Sequence, residues 1–126
     1  MNSYLIVFFG AGVGGALRHA VNTLSMRIVG PGFPAGTMMV NIAGSLAMGI
    51  IIGWLAYKGE AAQPWRLFLT TGLLGGFTTF SAFSLDVALL YERGQYALLA
   101  LYAGGSVLIS IAALALGLWV VRTQLA

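Results

Sequence analysis

Charge is what this sequence has least of. Only 7% of its 126 residues are Asp, Glu, Lys or Arg, against ~25% in an ordinary soluble domain. A soluble chain this small must cover a large surface with polar groups, because small domains have much surface for their volume. Six basic and three acidic residues cannot supply that cover. Cysteine is absent, which excludes a disulfide framework, a thiolate metal site and a cysteine nucleophile. The single histidine, His19, has no second histidine with which to build a metal site and reads as an interfacial residue. No nucleophile–base pair is visible either, so an enzyme is not expected. The formal charge of +3 is small and scattered, whereas nucleic acid demands a basic stripe on one face.

What remains is apolar: 60% of the chain. No charged side chain precedes Arg18, and none lies between Arg27 and Lys58, Arg66 and Asp86, or Arg93 and Arg122. Each later gap matches or exceeds the ~20 helical residues that cross a hydrocarbon core. The sequence therefore predicts an all-α membrane protein of four spans, a single domain over residues 1–126 with lipid as its solvent. Span 1 runs from about Ser3 to Arg27. It lacks the basic start of a signal peptide, and its apolar run continues through Gly10, Gly14 and Gly15. A Pro/Gly turn over Val29–Pro34 leads to span 2, about Gly36 to Tyr57, with Trp54 and Tyr57 placed as an interfacial belt. Lys58 to Gln63 reads as a polar loop, and Pro64 suits a first helical turn. Span 3 covers about Trp65 to Tyr91, and Glu92–Gln95 connects it tightly to span 4, Tyr96 to Val121.

Four spans put both termini and the 58–66 loop on one side, with Lys58, Arg66 and Arg122; Arg27 and Arg93 lie on the other. Orientation follows the Lys/Arg excess in short loops, and this excess is barely a bias. Such a chain can insert both ways up, and two opposed copies would form an antiparallel, dual-topology homodimer with an isologous interface. A weakly biased single topology stays open.

Polar groups inside hydrocarbon are costly unless paired, which makes them candidates for function. Gly10-Ala-Gly-Val-Gly-Gly15 matches G-x-G-x-x-G in form, but it follows no strand and no acidic residue precedes Glu60. Small-residue helix packing accounts for these glycines. Thr37, Asn41 and Ser45 lie four apart on span 2, and Tyr102, Ser106 and Ser110 repeat the spacing on span 4. Residues four apart share a helix face. Interhelical hydrogen bonding explains any single serine; two such stripes in one small protein point to a lined pathway. Asn41 stands out as a mid-span amide with two donors.

Span 3 holds Thr70-Thr-Gly-Leu-Leu-Gly75-Gly-Phe-Thr-Thr-Phe80-Ser-Ala-Phe83-Ser, too rich in Gly and Thr for a settled helix. A break near Gly75–Thr79 would free backbone carbonyls, which is tolerated at membrane depth only inside protein or along a cavity. Phe80 and Phe83 project from nearly the same face beside Ser81 and Ser84, poor company for lipid. Their ring edges carry partial positive charge and can touch a small anion without holding it hard. Arg18 either draws anions into a vestibule or snorkels to the headgroups. Asp86, the only acid well inside a span, reads as paired or interfacial.

Gly15-Ala-Leu-Arg18, Gly36-Thr-Met-Met-Val-Asn41-Ile-Ala-Gly-Ser45 and Gly75-Gly-Phe-Thr-Thr-Phe80-Ser-Ala-Phe83 resemble the signatures of the CrcB/Fluc fluoride channels. The resemblance spans the whole chain; the Gly-Phe-Thr-Thr-Phe-Ser run is its most specific part. His19 and Ala82 stand where family members often have Tyr and Thr. The resemblance implies a fluoride-selective passive channel of a prokaryotic inner membrane that exports cytoplasmic fluoride. It also implies an antiparallel homodimer with two pores and a central structural sodium ion. Phe80, Phe83 and Asn41 match the family's pore residues, and Tyr102, Ser106 and Ser110 match a polar track; Thr37, Ser81 and Arg18 complete the expected ion pathway. The backbone oxygens of Gly75 and Thr78 match the sodium ligands. The main rival is a four-span, dual-topology, proton-coupled multidrug exporter, which needs a membrane-centred carboxylate that this chain lacks. A non-transporting scaffold would need neither the irregular third span nor the stripes.

Overall fold

The computed structural model describes residues 2–59 and 62–125. Helix α1 (Ser3–Ile28) opens on Asn2, whose side-chain oxygen accepts from the Tyr4 amide at 2.7 Å, the usual way to satisfy a first-turn donor. The chain leaves α1 through Gly30 at φ +86, a left-handed conformation that suits glycine. It re-enters helix after Pro34 as α2 (Ala35–Leu55). Glu60 and Ala61, in the expected polar loop, lie outside the described residues. Gln63, expected in that loop, already begins α3 (Gln63–Arg66), with Pro64 in its first turn. A π-helical stretch, Leu67–Leu74, and one turn, α4 (Gly75–Phe77), follow. Then Thr78 and Thr79 take extended dihedrals (φ −85, ψ 159 and φ −154, ψ 122) before α5 (Phe80–Glu92). Gly94 turns the chain at φ +71 into α6 (Tyr96–Leu125).

Four helical stretches, Ser3–Ile28, Ala35–Leu55, Gln63–Glu92 and Tyr96–Leu125, are long and apolar enough to cross a membrane. The last runs past the expected Val121 and carries Arg122 within it. A helix need not stop where the hydrocarbon does, because headgroups and water solvate its charged last turn.

Helix α2 packs along α6, and α1 along the π-helical stretch and α4. The contacts are backbone to backbone. A Cβ added at Gly10 would meet the Phe68 carbonyl oxygen at 2.8 Å and Gly72 Cα at 2.9 Å, and one at Gly14 would overlap the Leu73 carbonyl. Gly49 on α2 likewise abuts the Leu114 carbonyl, and a Cβ on Gly117 would sit 2.6 Å from the Leu46 carbonyl oxygen. Without a hydrophobic force between helices in lipid, such close approach supplies the dispersion contacts that hold them. Of the Gly10–Gly15 run, Gly10 and Gly14 are in these contacts, whereas a Cβ on Gly12 or Gly15 would meet nothing within 4 Å.

Candidate functional site

The arrangement that matters begins at Thr79. A continued helix would give its amide N–H to the Gly75 carbonyl. Instead the amide donates to Asn41 Oδ1 at 2.8 Å, and Asn41 Nδ2 donates back to the Thr79 carbonyl at 3.0 Å. One side chain of α2 thus satisfies both polar groups of an extended residue at membrane depth, where water cannot. Thr79 Oγ1 in turn accepts from the Ala82 amide at 3.1 Å and caps α5. Thr78 folds back instead, its amide and its Oγ1 both donating to the Leu74 carbonyl at 2.9 Å.

Beside this clamp lies a groove of about 390 Å³. Its walls are Asn41 and Ser45 from α2, Thr78, Thr79, Phe80 and Phe83 from the third span, and Ser106 and Ser110 from α6. None of its described lining side chains is charged. Ser106 is 4% exposed, and the hydroxyls of Ser106 and Ser110 are buried without a hydrogen-bond partner among the described residues. They are therefore free donors at the groove wall. Phe80 is 76% exposed, its ring 5.5 Å from that of Phe83.

The structure therefore gathers Asn41, Phe80, Phe83, Ser106, Ser110 and Thr78 around one space. Other candidates stand apart. Thr37, though one turn from Asn41, lines a second cavity of about 420 Å³ shared with Asn22, Ala82, Asp86 and Arg93. Tyr102 is fully buried, and its hydroxyl donates to Asp86 Oδ2 at 2.8 Å. Ser81 is exposed, its Oγ 3.3 Å from Thr79 Oγ1. Arg18, half-buried on α1, lines neither cavity. Gly75 is exposed, and a Cβ there would meet only the Thr70 carbonyl oxygen, at 3.6 Å. Two partnerships escaped the sequence reading, the Asn41–Thr79 clamp and the Tyr102–Asp86 bond. No periodicity links residues on different spans, although the isolated Asp86 signalled a need for some partner.

The chemistry at Gly75 and Thr78 suits a monovalent cation. Because the Thr79 amide goes to Asn41, the Gly75 carbonyl loses the donor that a continued helix would supply. Because the Ala82 amide goes to Thr79 Oγ1, the Thr78 carbonyl loses its own. Both are neutral, hard oxygens of the kind that replace an alkali ion's hydration shell.

Comparison with known proteins follows the same lines. The family model described as "CrcB-like protein, Camphor Resistance (CrcB)" matches residues 5–118. A protein of Nitrobacter hamburgensis named "Fluoride-specific ion channel FluC 2" is 58% identical over 120 residues, 95% of this chain and 97% of that protein. A "Fluoride-specific ion channel FluC" of Methylobacterium nodulans is 60% identical over 122 residues, covering 97% and 98%. Another, of Granulibacter bethesdensis, is 57% identical over 123 residues, covering 98% and 97%. These relatives are named as channels, not as enzymes. With the family model spanning nearly the whole sequence and such relatives aligned almost end to end, the chain belongs to the CrcB/FluC family of multi-pass membrane proteins.

Proposed function

We propose that this chain is a fluoride-selective passive anion channel of a prokaryotic inner membrane, letting cytoplasmic fluoride leave down its electrochemical gradient and so relieving its toxicity. The observation that carries this reading is the nearly end-to-end alignment, at 58% and 60% identity, with proteins named fluoride-specific channels. The groove supplies a physical means. Ser106 and Ser110 offer hydroxyl donors, the second N–H of Asn41 Nδ2 another, and Phe80 and Phe83 their electropositive ring edges. No charged side chain among its described walls would trap the ion, and conduction needs sites weak enough to leave. Arg18 would raise the local anion concentration at a mouth, with Ser81, Thr37 and Tyr102 flanking the route.

In this reading the extended residues Thr78 and Thr79 are a functional break in the third span, and the open groove with its exposed Phe80 faces a second, oppositely oriented copy. Sodium, held by the Gly75 and Thr78 carbonyls of the two chains, would offset the partial negative charge of those carbonyl ends without being transported. The multidrug-exporter alternative gains nothing from the geometry: Asp86, its only candidate carboxylate within a span, accepts from Tyr102.

Purified protein in liposomes loaded with fluoride or chloride tests the function. Fluoride efflux is expected on adding an ionophore to balance charge, with chloride efflux at the protein-free background. No fluoride efflux, or equal efflux of both anions, would sink the proposal. Preparing the same liposomes in a large organic cation should abolish the flux, with sodium restoring it better than potassium. Unchanged flux without sodium would remove the ion from the reading and leave the channel standing.

Orientation is tested separately. Two arginines added to the 58–66 loop should bias insertion to one side. Efflux from cells should fall, and recover when a copy biased the other way is co-expressed. A singly oriented protein that conducts normally alone would refute the antiparallel pair.

A further inference from the structure

Where the second span ends and the third begins, Trp54, Lys58, Ala62, Trp65 and Leu69 enclose a cleft of about 450 Å³, the size of a small-molecule site. It shares no lining residue with the groove or with the cavity at Asp86. Its charge sits at one end. The Lys58 ammonium stands 4.9 Å from the centre of the Trp54 ring, and a ring face holds a cation without using up its three N–H donors. Trp54 and Trp65 are both exposed, and each brings an indole N–H to the level where tryptophans meet lipid headgroups. Leu69 lies four residues further along the third span than Trp65. The cleft therefore runs from a cationic, hydrogen-bonding rim to an apolar floor.

We infer that this cleft holds an anionic phospholipid, its phosphate on Lys58 and the upper part of an acyl chain against Trp65 and Leu69. A soluble anion uses the rim and gains nothing from the apolar walls below it. A zwitterionic lipid must place its choline beside Lys58, because no acidic side chain lines the cleft among the described residues and Lys58 already occupies the Trp54 ring. The surroundings carry the same sign. Lys58, Arg66 and Arg122 share this side of the membrane, and Glu60 is the one acid in the connecting loop. Such a basic margin attracts anionic headgroups.

Brominated lipids quench tryptophan on contact, and two of the three tryptophans line the cleft. The third, Trp119, is exposed on α6 outside it, so Trp119→Phe gives a parent whose fluorescence reports the cleft alone. This protein is placed in phosphatidylcholine liposomes holding a rising fraction of brominated phosphatidylglycerol or, in parallel, brominated phosphatidylcholine. Half-maximal quenching should come at about a fivefold lower fraction of the anionic lipid, the advantage that one lysine near a headgroup confers. Lys58→Gln should erase that preference, Lys58→Arg should keep it, and Arg122→Gln, a charge change outside the cleft, should leave it in place. Equal quenching by the two lipids in the parent would overturn the proposal. So would an equal loss in Lys58→Gln and Arg122→Gln, which would mean diffuse attraction to the surface and no site. Quenching by neither lipid would mean that protein, such as a second copy, covers the cleft, and would overturn it too. The readout is lipid contact and not flux, so the outcome is independent of the channel reading.

Discussion

Replacing Phe80 by isoleucine should cut fluoride efflux about tenfold while leaving the protein folded. Isoleucine keeps apolar bulk but has no ring quadrupole, so the positive edge that faces an anion is lost. If an anion at a ring edge gains about as much as a cation over a ring face, roughly 1–2 kcal/mol when desolvated, the loss of this one ring amounts to about one decade in rate. Phe80 is the cleaner of the two positions because its side chain is largely exposed on the chain, so little packing is disturbed. Phe83 lies between the rings of Phe80 and Tyr102, and Phe83→Ile should lose flux similarly with some loss of stability. Initial rates at a fluoride electrode, on protein that elutes as one species, decide the matter. Parental rates from both variants would take the rings out of the pathway.

Asn41→Asp should lower flux to background and, unlike Phe80→Ile, also loosen the fold. The carboxylate can still accept from the Thr79 amide, but it has no proton to return to the Thr79 carbonyl that Asn41 Nδ2 now satisfies at 3.0 Å. An orphaned buried carbonyl costs about 1–3 kcal/mol. The new negative charge stands on the groove wall, where screening is weak and a passing anion is repelled. The variant should therefore lose monodispersity at a heating step several degrees below the parent, alongside its loss of flux. Full flux with unchanged heat resistance would mean that the clamp matters neither to the fold nor to the ion.

The four spans were readable because lipid permits so little charge: the gaps between Arg27 and Lys58, Arg66 and Asp86, and Arg93 and Arg122 are visible without any structure. Their ends were less so. The expected stop at Val121 rested on Arg122, yet α6 continues to Leu125, since a charged residue marks the edge of the hydrocarbon and not of the helix. The polar stripes were half legible. Four residues at 3.6 per turn overshoot one turn by roughly 40°, so a stripe at i, i+4, i+8 winds around its helix. Hence Asn41 and Ser45 line the groove while Thr37 faces the second cavity, and Ser106 and Ser110 line it while Tyr102 turns to Asp86. Asn41 was singled out for its amide donors, but its reach to Thr79 on another span leaves no trace in spacing. Hydrogen bonds between distant residues depend on how helices pack, and composition does not reveal packing.

The backbone contacts made through glycine also shape how this sequence can drift. Any one-base change in a glycine codon that alters the residue adds at least a Cβ. At positions 10, 14, 49 and 117 that carbon falls on a carbonyl oxygen of the facing segment, and no smaller side chain exists from which to compensate. Such sites are closed to gradual substitution, since a viable change needs the opposite backbone to move first. Positions 12, 15 and 104 look out on open space and carry no such restriction within the chain. Substitution is thus expected to be resisted at the glycines where helices touch and tolerated at glycines that face open space.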